Sequence, residues 1–444
     1  MSSTLSGSVS QDLTSVSTAP AKPLGSRKAI VAISLGNGLE MYDFTVYSFF
    51  AVIIGELFFN VGGSAAGLLL SLATFGVGFV MRPLGAVLIG NYADKHGRKA
   101  ALTLTIALMT IGTGMIALTP TYESIGIAAT VMLVVGRLLQ GLSAGGEIGA
   151  ASAALMESDN YKRRCYMVSW QLASQGAAAL VGAAALVGAM IGFAINGLLT
   201  PDQVHSWGWR IPFVLGLLIG PVGWYIRRHL DEPHKAQTAA EETPFKTVLS
   251  KQGRTVLIGM LMIWGATASM YIEVFYMPTY LIKELGYAPT TAFAVAVLAG
   301  FMLMVLMPIM GKWADGLGSR KVLPLIGMLS AFVCIYPAFT LLGGEASLVK
   351  ALFIIGALIA LFALSNASLL VLIMEAFAQQ YRASGISMIY GFGVTVFGGF
   401  TPLLVASLIE WSGNKMAPAF YLMIAVAVSS LAIWRFPTRA PQQH

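Results

Sequence analysis

Six ionisable side chains interrupt long apolar stretches of this sequence. They are Glu40, Asp43, Arg82, Arg137, Glu147 and Glu273. A charge at the centre of a bilayer costs roughly 2.5–3.5 kcal/mol on insertion scales, so such groups usually face a partner or a water-filled cavity. None of the five histidines lies in an apolar stretch. If the protein transfers protons, a carboxyl group must therefore carry them, and the four acids of the set are the candidates for a proton-coupling role.

The first apolar stretch carries a polar stripe. Asn37, Glu40, Asp43 and Tyr47 recur at steps of three and four residues, so on a helix they share one face. Such groups can also hold neighbouring helices together. Two carboxyl groups in one stretch favour the lining of an aqueous path, and we predict that Asn37 contacts a substrate there.

Two arginines are predicted to bind an anion. The guanidinium groups of Arg82 and Arg137 stay charged and can hold a carboxylate through two parallel hydrogen bonds. The alternative for both is a structural ion pair with Glu40, Asp43 or Glu147. Proton coupling is a second active role for Arg137.

Polar side chains in three later stretches are further candidates for substrate binding. They are Gln171, Ser174, Gln175, Tyr276, Tyr280 and Tyr390. The first three share one helix face and could instead serve helix packing. Pro278 lies between the tyrosines of the seventh stretch and can free backbone carbonyls there.

A charged loop motif occurs twice. Gly90-Asn-Tyr-Ala-Asp94 is followed by Gly97-Arg98-Lys99, and the second copy runs from Gly311-Lys-Trp-Ala-Asp315 to Arg320-Lys321. A Glu and an Arg seven residues apart also recur in the same order, which indicates a duplicated architecture. We predict that these residues gate the protein by latching its two halves: Asp94, Arg98, Glu157, Arg164, Asp315, Arg320, Glu375 and Arg382.

The composition excludes a soluble protein. Hydrophobic residues make up 57% of the chain and charged residues 11%, with a mean hydropathy of +0.76. Soluble domains carry roughly 25% charged residues. The net charge of +7 comes from cations between the apolar stretches, which predicts membrane topology and excludes a nucleic-acid partner. The two cysteines form no disulfide or metal pattern, and no metal site is expected.

Twelve apolar stretches follow one another, most of them long enough to cross a bilayer as helices of about 20 residues. They span residues 30–58, 65–92, 100–118, 124–156, 166–195, 211–225, 254–282, 291–313, 322–342, 350–376, 384–410 and 417–434. We predict an all-α integral membrane protein of two pseudo-symmetric six-helix bundles. Its predicted parts are a disordered tail (1–28), an N-terminal bundle (29–228), a linker (229–253), a C-terminal bundle (254–436) and a second tail (437–444).

The Lys and Arg residues set the orientation. Of the 27 in the chain, only Arg210, Lys283, Lys350 and Lys415 fall in the loops opposite the termini. The positive-inside rule then predicts that both tails and the linker are cytoplasmic, in the plasma or inner membrane.

The duplicated Gly-x-x-Ala-Asp loops, with Arg137-Leu-Leu-Gln140-Gly141 in the fourth stretch, resemble the signatures of the major facilitator superfamily, and the resemblance covers residues 29–434. Four further motifs look like its metabolite-proton symporter branch: Gly36-Asn37-x-x-Glu40-x-x-Asp43, Met81-Arg82-Pro83, Gly136-Arg137-x-x-Gln140-Gly141 and Trp207-Gly-Trp-Arg210. Trp170-Gln171-x-x-Ser174-Gln175 and Pro278-Thr-Tyr280 are most similar to the citrate and tricarballylate symporters. Glu273 departs from that pattern, in which the position is apolar, so a dicarboxylate or a further proton site stays open.

The resemblance implies a monomeric, non-enzymatic transporter. It would take up a di- or tricarboxylate by alternating access, driven by a proton gradient and without a cofactor. The alternatives are symport of betaine or proline, with cation-π contacts from Trp170, Tyr276 or Tyr390, symport of ketoglutarate, and a non-transport membrane receptor.

Overall fold

The computed structural model describes residues 26–59, 64–96, 98–145, 152, 155–156, 161–196, 203–217, 221, 244–378 and 382–437. Within these ranges the protein is helical and contains no strand. The helices of the first half are α1 (Ser26–Phe49), α2 (Ala51–Phe58), α3 (Ser64–His96), α4 (Arg98–Leu118), α5 (Tyr122–Ile125), α6 (Ile127–Ala144) and α7 (Arg164–Asn196). Those of the second half are α8 (Pro244–Ser269), α9 (Met277–Lys283), α10 (Pro289–Asp315), α11 (Val322–Leu342), α12 (Leu348–Asn366), α13 (Leu369–Glu375), α14 (Arg382–Val394), α15 (Thr401–Ser412) and α16 (Ala417–Arg435).

The helices follow the predicted order of spans. In the part of the chain that the structure describes, eight helices are long and apolar enough to cross a membrane. A ninth span is a pair, Glu40–Phe49 and Ala51–Phe58, bent by 70°, and Thr103–Leu118 is a shorter apolar helix. All six spans predicted for the second half are present, including 248–283 for the seventh and 384–412 for the eleventh. The fold is therefore all-α and multi-pass.

Two spans of the second half contain π-helices. The first, Met270–Tyr276, separates α8 from α9, and Pro278 lies in the first turn of α9. The second, Thr395–Gly399, separates α14 from α15. A π-helical turn holds an extra residue, so each segment rotates the helix face that follows it. Both segments lie beside the central cavity described below.

The two halves meet along pairs of close-packed helices. A Cβ atom on Gly300 of α10 would lie 2.4 Å from the backbone nitrogen of Leu180 in α7. Where α3 meets the second π-helix, a Cβ on Gly399 would lie 2.5 Å from the Phe79 ring. Only glycine permits these approaches, which bring the two halves together around a shared centre.

The predicted domain boundaries stay predictions. Residues 222–243, which include the predicted linker up to residue 243, lie outside the described residues, whereas its remaining residues, 244–253, belong to α8, with non-helical backbone angles at Gln252.

Candidate functional site

A cavity lies between the two halves. Helices α1, α3 and α7 of the first half and spans seven, ten and eleven of the second half line it. Its polar side chains are Arg82, Gln175, Thr267, Tyr271, Asn366 and Tyr390. The remaining wall is apolar, including Met41, Leu172, Phe275 and Phe362. Such a cavity, mostly apolar with a few convergent polar groups, is typical of a small-molecule site.

Among the residues that line the cavity, Arg82 is the one cation. The side chain is only 2% exposed, yet its Nε and Nη2 atoms have no hydrogen-bond partner. Its Cζ atom lies 4.2 Å from the ring centroid of Phe79 and 4.8 Å from that of Phe44. Aromatic rings hold the guanidinium instead of a carboxylate, so its hydrogen-bonding capacity is available to an anion.

The other polar side chains that line the cavity are neutral. The Nε2 atom of Gln175 also has no hydrogen-bond partner, and its side chain interacts with that of Tyr390. Tyr271 lies close enough to Arg82 to feel its charge, and its ring packs on Phe79 at 5.4 Å. A buried donor without a partner costs about 1–3 kcal/mol, which a bound acceptor would recover.

A second polar cluster surrounds Asp43, which does not line the cavity. Thr113 of α4 donates a hydrogen bond to Oδ2 of Asp43. The Nε2 atom of Gln140 lies 2.9 Å from Thr113 Oγ1 and 3.3 Å from the same Asp43 oxygen. Arg137 Nη1 donates to Gln140 Oε1 at 2.7 Å. Gln140 thus connects a buried guanidinium to a buried carboxyl group.

The backbone of the sixth span completes this cluster. Gly216 lies against Asp43, and a Cβ atom there would approach Asp43 Oδ1 to 2.6 Å. Arg137 is fully buried, with its Cζ atom 4.4 Å from the Tyr47 ring centroid and 4.5 Å from that of Phe44. The described residues show no salt bridge to either buried arginine.

Three of the predicted substrate contacts instead connect α1 with α7. Asn37 Nδ2 donates to the Gln171 carbonyl at 2.9 Å and to Ser174 Oγ at 2.8 Å. Ser152 donates to the Gln171 side chain. These bonds match the helix-packing alternative, and a substrate role for the three residues stays a prediction that this geometry does not favour.

The predicted residues of span seven also lie outside the cavity lining. The Tyr280 hydroxyl donates to the Lys415 carbonyl at 2.8 Å, and Tyr276 packs against the Tyr280 ring. Glu273 is buried within the first π-helix, where its Oε2 atom has no hydrogen-bond partner. Tyr271 reaches the cavity from the same segment. The binding roles of the two other tyrosines and the proton role of Glu273 stay predictions.

Of the two remaining acids, Glu40 is buried and lies near Tyr271 and Tyr390, within electrostatic range of both. Glu147 lies outside the described residues.

The structure also adds residues that sequence reasoning missed. Thr267 and Asn366 line the cavity, and each was visible only as a polar residue in an apolar span.

The two halves are joined near the charged loops. Asp315 accepts hydrogen bonds from the backbone N–H groups of Cys165 and Tyr166, at 2.9 and 2.8 Å. It thereby caps the first turn of α7 from the opposite half, where a negative charge complements the helix dipole. We call Asp315, Arg320, Glu375 and Arg164 the latch.

One ion pair of the latch, Arg164 with Glu375, also crosses between the halves, and the others lie within the second half. Arg320 lies 3.2 Å from Asp315 and 3.8 Å from Glu375. Glu375 pairs with Arg164 of α7 at 3.3 Å. Of the other predicted gating residues, Arg382 begins α14. The side chains of Asp94 and Arg98, and all of Glu157, lie outside the described residues.

We expect the Asp315→Ala variant to open this end of the protein more often. It loses two charge-assisted hydrogen bonds between the halves, which contribute about 1.5–3 kcal/mol each. A cysteine at the cavity position Ala266, in a background without native cysteines, should be alkylated at least about tenfold faster. The matched control is Glu345→Gln, which neutralises an exposed acid elsewhere. Equal alkylation rates in the wild-type and Asp315→Ala backgrounds would contradict the latch.

Two family models match the chain. That of the Major Facilitator Superfamily covers residues 33–309, and that described as Sugar (and other) transporter covers residues 225–442. A citrate-proton symporter of Klebsiella pneumoniae is 35% identical over 408 residues, which are 91% of this chain and 90% of that protein. A proline/betaine transporter of Escherichia coli K12 is 32% identical over 418 residues, 90% of this chain and 81% of that protein.

Solved structures share the fold at low sequence identity. The xylose transporter of E. coli aligns over 95% of this chain and 99% of its own, with a TM-score of 0.72 and 16% identity. The fucose:proton symporter of E. coli aligns over 94% of this chain and all of its own, with a TM-score of 0.65 and 13% identity.

Proposed function

Because this chain belongs to the major facilitator superfamily, we propose that it is a proton-coupled symporter for a small organic anion, with citrate or a related di- or tricarboxylate as substrate. The observation that carries the proposal is Arg82, a buried guanidinium that lines the central cavity without a hydrogen-bond partner at Nε or Nη2. The name of the K. pneumoniae relative, a citrate-proton symporter, supports it.

The cavity favours a substrate with a carboxylate at one end. Two parallel hydrogen bonds from Arg82 would hold that carboxylate. Gln175 and Tyr390 also line the cavity, and their side chains can donate hydrogen bonds to further carboxylate or hydroxyl oxygens of the substrate. The lining residues supply one cation, so the remaining substrate oxygens would meet neutral donors.

Asp43 is the proton carrier of this proposal, since its carboxyl group is buried in a hydrogen-bonded cluster that reaches Arg137. A proton on Asp43 leaves Arg137 uncompensated and raises the positive charge near the cavity. Anion binding and protonation then favour each other, which is the linkage that symport requires. The proton gradient is the only driving force in this scheme, and it needs no cofactor.

The orientation follows the Lys and Arg distribution, with the latch and both termini on the cytoplasmic face of the inner or plasma membrane. Alternating access would open the latch to release substrate inward. The working unit is a monomer, whose two halves supply the whole cavity.

A zwitterion such as betaine or proline is the second candidate. Glu40 is not among the cavity-lining residues, but it lies near Tyr271 and Tyr390, the two tyrosines that line the cavity with Arg82. A quaternary ammonium could bind the rings through cation-π contacts while its carboxylate binds Arg82. The proline/betaine relatives are named for such substrates.

Uptake into proteoliposomes tests the proposal. Labelled citrate should accumulate under an imposed inward proton gradient, and a protonophore should abolish the accumulation. Competition by unlabelled tricarballylate, succinate, itaconate, ketoglutarate, betaine and proline ranks the substrate class. Inhibition by betaine and proline alone would favour the zwitterion. No uptake of any of these compounds by folded protein would contradict both candidates.

A further inference from the structure

The Phe44 ring contacts both buried guanidinium groups. Its centroid lies 4.8 Å from Arg82 Cζ and 4.5 Å from Arg137 Cζ, and the side chain is fully buried. Arg82 lines the cavity, whereas Arg137 is hydrogen-bonded through Gln140 to the Asp43 cluster. One aromatic ring therefore joins the proposed anion site to the proposed proton site.

The ring solves an electrostatic difficulty. Arg82 and Arg137 are near enough to repel each other. Among the described residues, no carboxylate forms a salt bridge with either guanidinium group. The face of an aromatic ring attracts cations through its quadrupole and adds no formal charge. Phe44 can thus hold two guanidinium groups close together without neutralising either of them. Phe79, with its centroid 5.1 Å away, supports the ring.

We propose that Phe44 is a positioning residue that couples protonation of Asp43 to the anion affinity of Arg82, an inference that rests on the proposed symport. Protonation of Asp43 removes the negative charge that offsets Arg137. The anion at Arg82 then experiences a larger positive charge and binds more tightly. One unit of charge at about 10 Å, in an effective dielectric of about 20, alters an equilibrium by about tenfold.

The titratable and charged groups around this ring come from α1 itself and from three other elements. Arg82 belongs to α3, Arg137 to α6 and Tyr271 to the first π-helix. Those on α1 itself are Glu40, Tyr42, Asp43 and Tyr47. Phe44 differs from all of them because it does not titrate. Its removal should change the coupling without removing a proton site.

Citrate binding to the purified full-length protein at about pH 5.5 and about pH 8 tests this role. Phe44→Leu keeps an apolar side chain and removes the quadrupole. The ionisation of citrate itself changes both Kd values equally, so it cancels in the ratio of variant to wild-type Kd. We expect this ratio to be about tenfold larger at the lower pH, because the variant no longer gains affinity when Asp43 is protonated. Phe44→Tyr, which keeps the ring, should match the wild type.

The matched control is Phe58→Leu. Phe58 is equally buried in the same half, but its ring faces Trp209 at 5.5 Å. A Phe44→Leu ratio that stays constant with pH, or a Phe58→Leu ratio that changes in the same way, would overturn the inference. If the leucine variant does not fold, stepwise fluorination of Phe44 weakens the quadrupole at nearly constant shape. The pH dependence should then fall with each fluorine, and an unchanged dependence also overturns the inference.

The same measurements separate the two levels of the proposal. Wild-type protein that binds none of the panel anions and shows no proton-driven uptake would overturn the proposed function, and this inference with it. Normal wild-type binding and uptake, with no effect at Phe44, overturns the inference alone.

Discussion

Replacement of Arg82 by glutamine is expected to abolish high-affinity carboxylate uptake while the protein remains folded. Removal of one partner from a buried, hydrogen-bonded charge pair costs about 2–5 kcal/mol. The Kd for citrate should therefore rise about 30-fold to several thousand-fold. Initial uptake rates in proteoliposomes and equilibrium binding by purified protein measure this effect.

The unliganded protein should tolerate this change. Arg82 has no hydrogen-bond partner at Nε or Nη2, so the substitution strands no described carboxylate and relieves repulsion with Arg137. The thermal midpoint of Arg82→Gln should equal or exceed that of the wild type. Arg82→Lys keeps the positive charge but lacks the planar guanidinium group. Its affinity for citrate should lie between those of the wild type and Arg82→Gln.

A matched control for Arg82 lies at the surface. Arg163 is exposed and its Cζ atom lies 5.1 Å from the Tyr166 ring centroid, so Arg163→Gln removes the same charge far from the cavity. It should transport normally. Unchanged affinity in Arg82→Gln at normal membrane abundance would show that Arg82 does not bind the anion.

Replacement of Asp43 by asparagine is expected to uncouple transport from the proton gradient. Asparagine has the same shape, and its carbonyl oxygen can still accept the bonds from Thr113 and Gln140. The variant cannot release a proton, so the proton-driven accumulation of citrate should fall at least about tenfold. Exchange of internal for external citrate, which needs no net proton movement, should continue.

Glu273→Gln is the companion to that experiment. Glu273 is as buried as Asp43, at 3% exposure each, and like Asp43 it does not line the cavity, but it lies in the other half. If Asp43 carries the proton, Glu273→Gln should retain accumulation. Lost accumulation in Glu273→Gln, together with normal accumulation in Asp43→Asn, would transfer the role to Glu273.

The sequence by itself determined the membrane fold. Without water in the hydrocarbon, each crossing must satisfy its own backbone hydrogen bonds as a helix of about 20 residues, so apolar stretches reveal spans directly. The same physics singled out Arg82, Arg137 and Asp43, because a charge inside an apolar span is costly and needs a reason. The duplicated loops likewise indicated Asp315 and Arg320, which the structure places in the latch.

Only the tertiary structure decided which polar residues share the cavity. Gln171 and Gln175 of α7 are one helical turn apart in sequence. Gln171 accepts hydrogen bonds from Asn37 of α1 and from Ser152, whereas Gln175 lines the cavity. Helix periodicity fixes which residues share a face, but not how far that face is rotated toward its neighbours. Packing between helices sets the rotation, through contacts such as that of Gly300 with Leu180.

The π-helices made the side-chain positions in the second half still harder to predict from the sequence. The segment Met270–Tyr276 widens the turn by one residue, so an ordinary helical wheel misplaces the side chains around it. In this segment Met270, Tyr271 and Phe275 line the cavity, whereas Glu273 and Tyr276 do not. The double contact of Phe44 with Arg82 and Arg137 joins three helices that are distant in sequence, and no local pattern in the chain encodes that meeting.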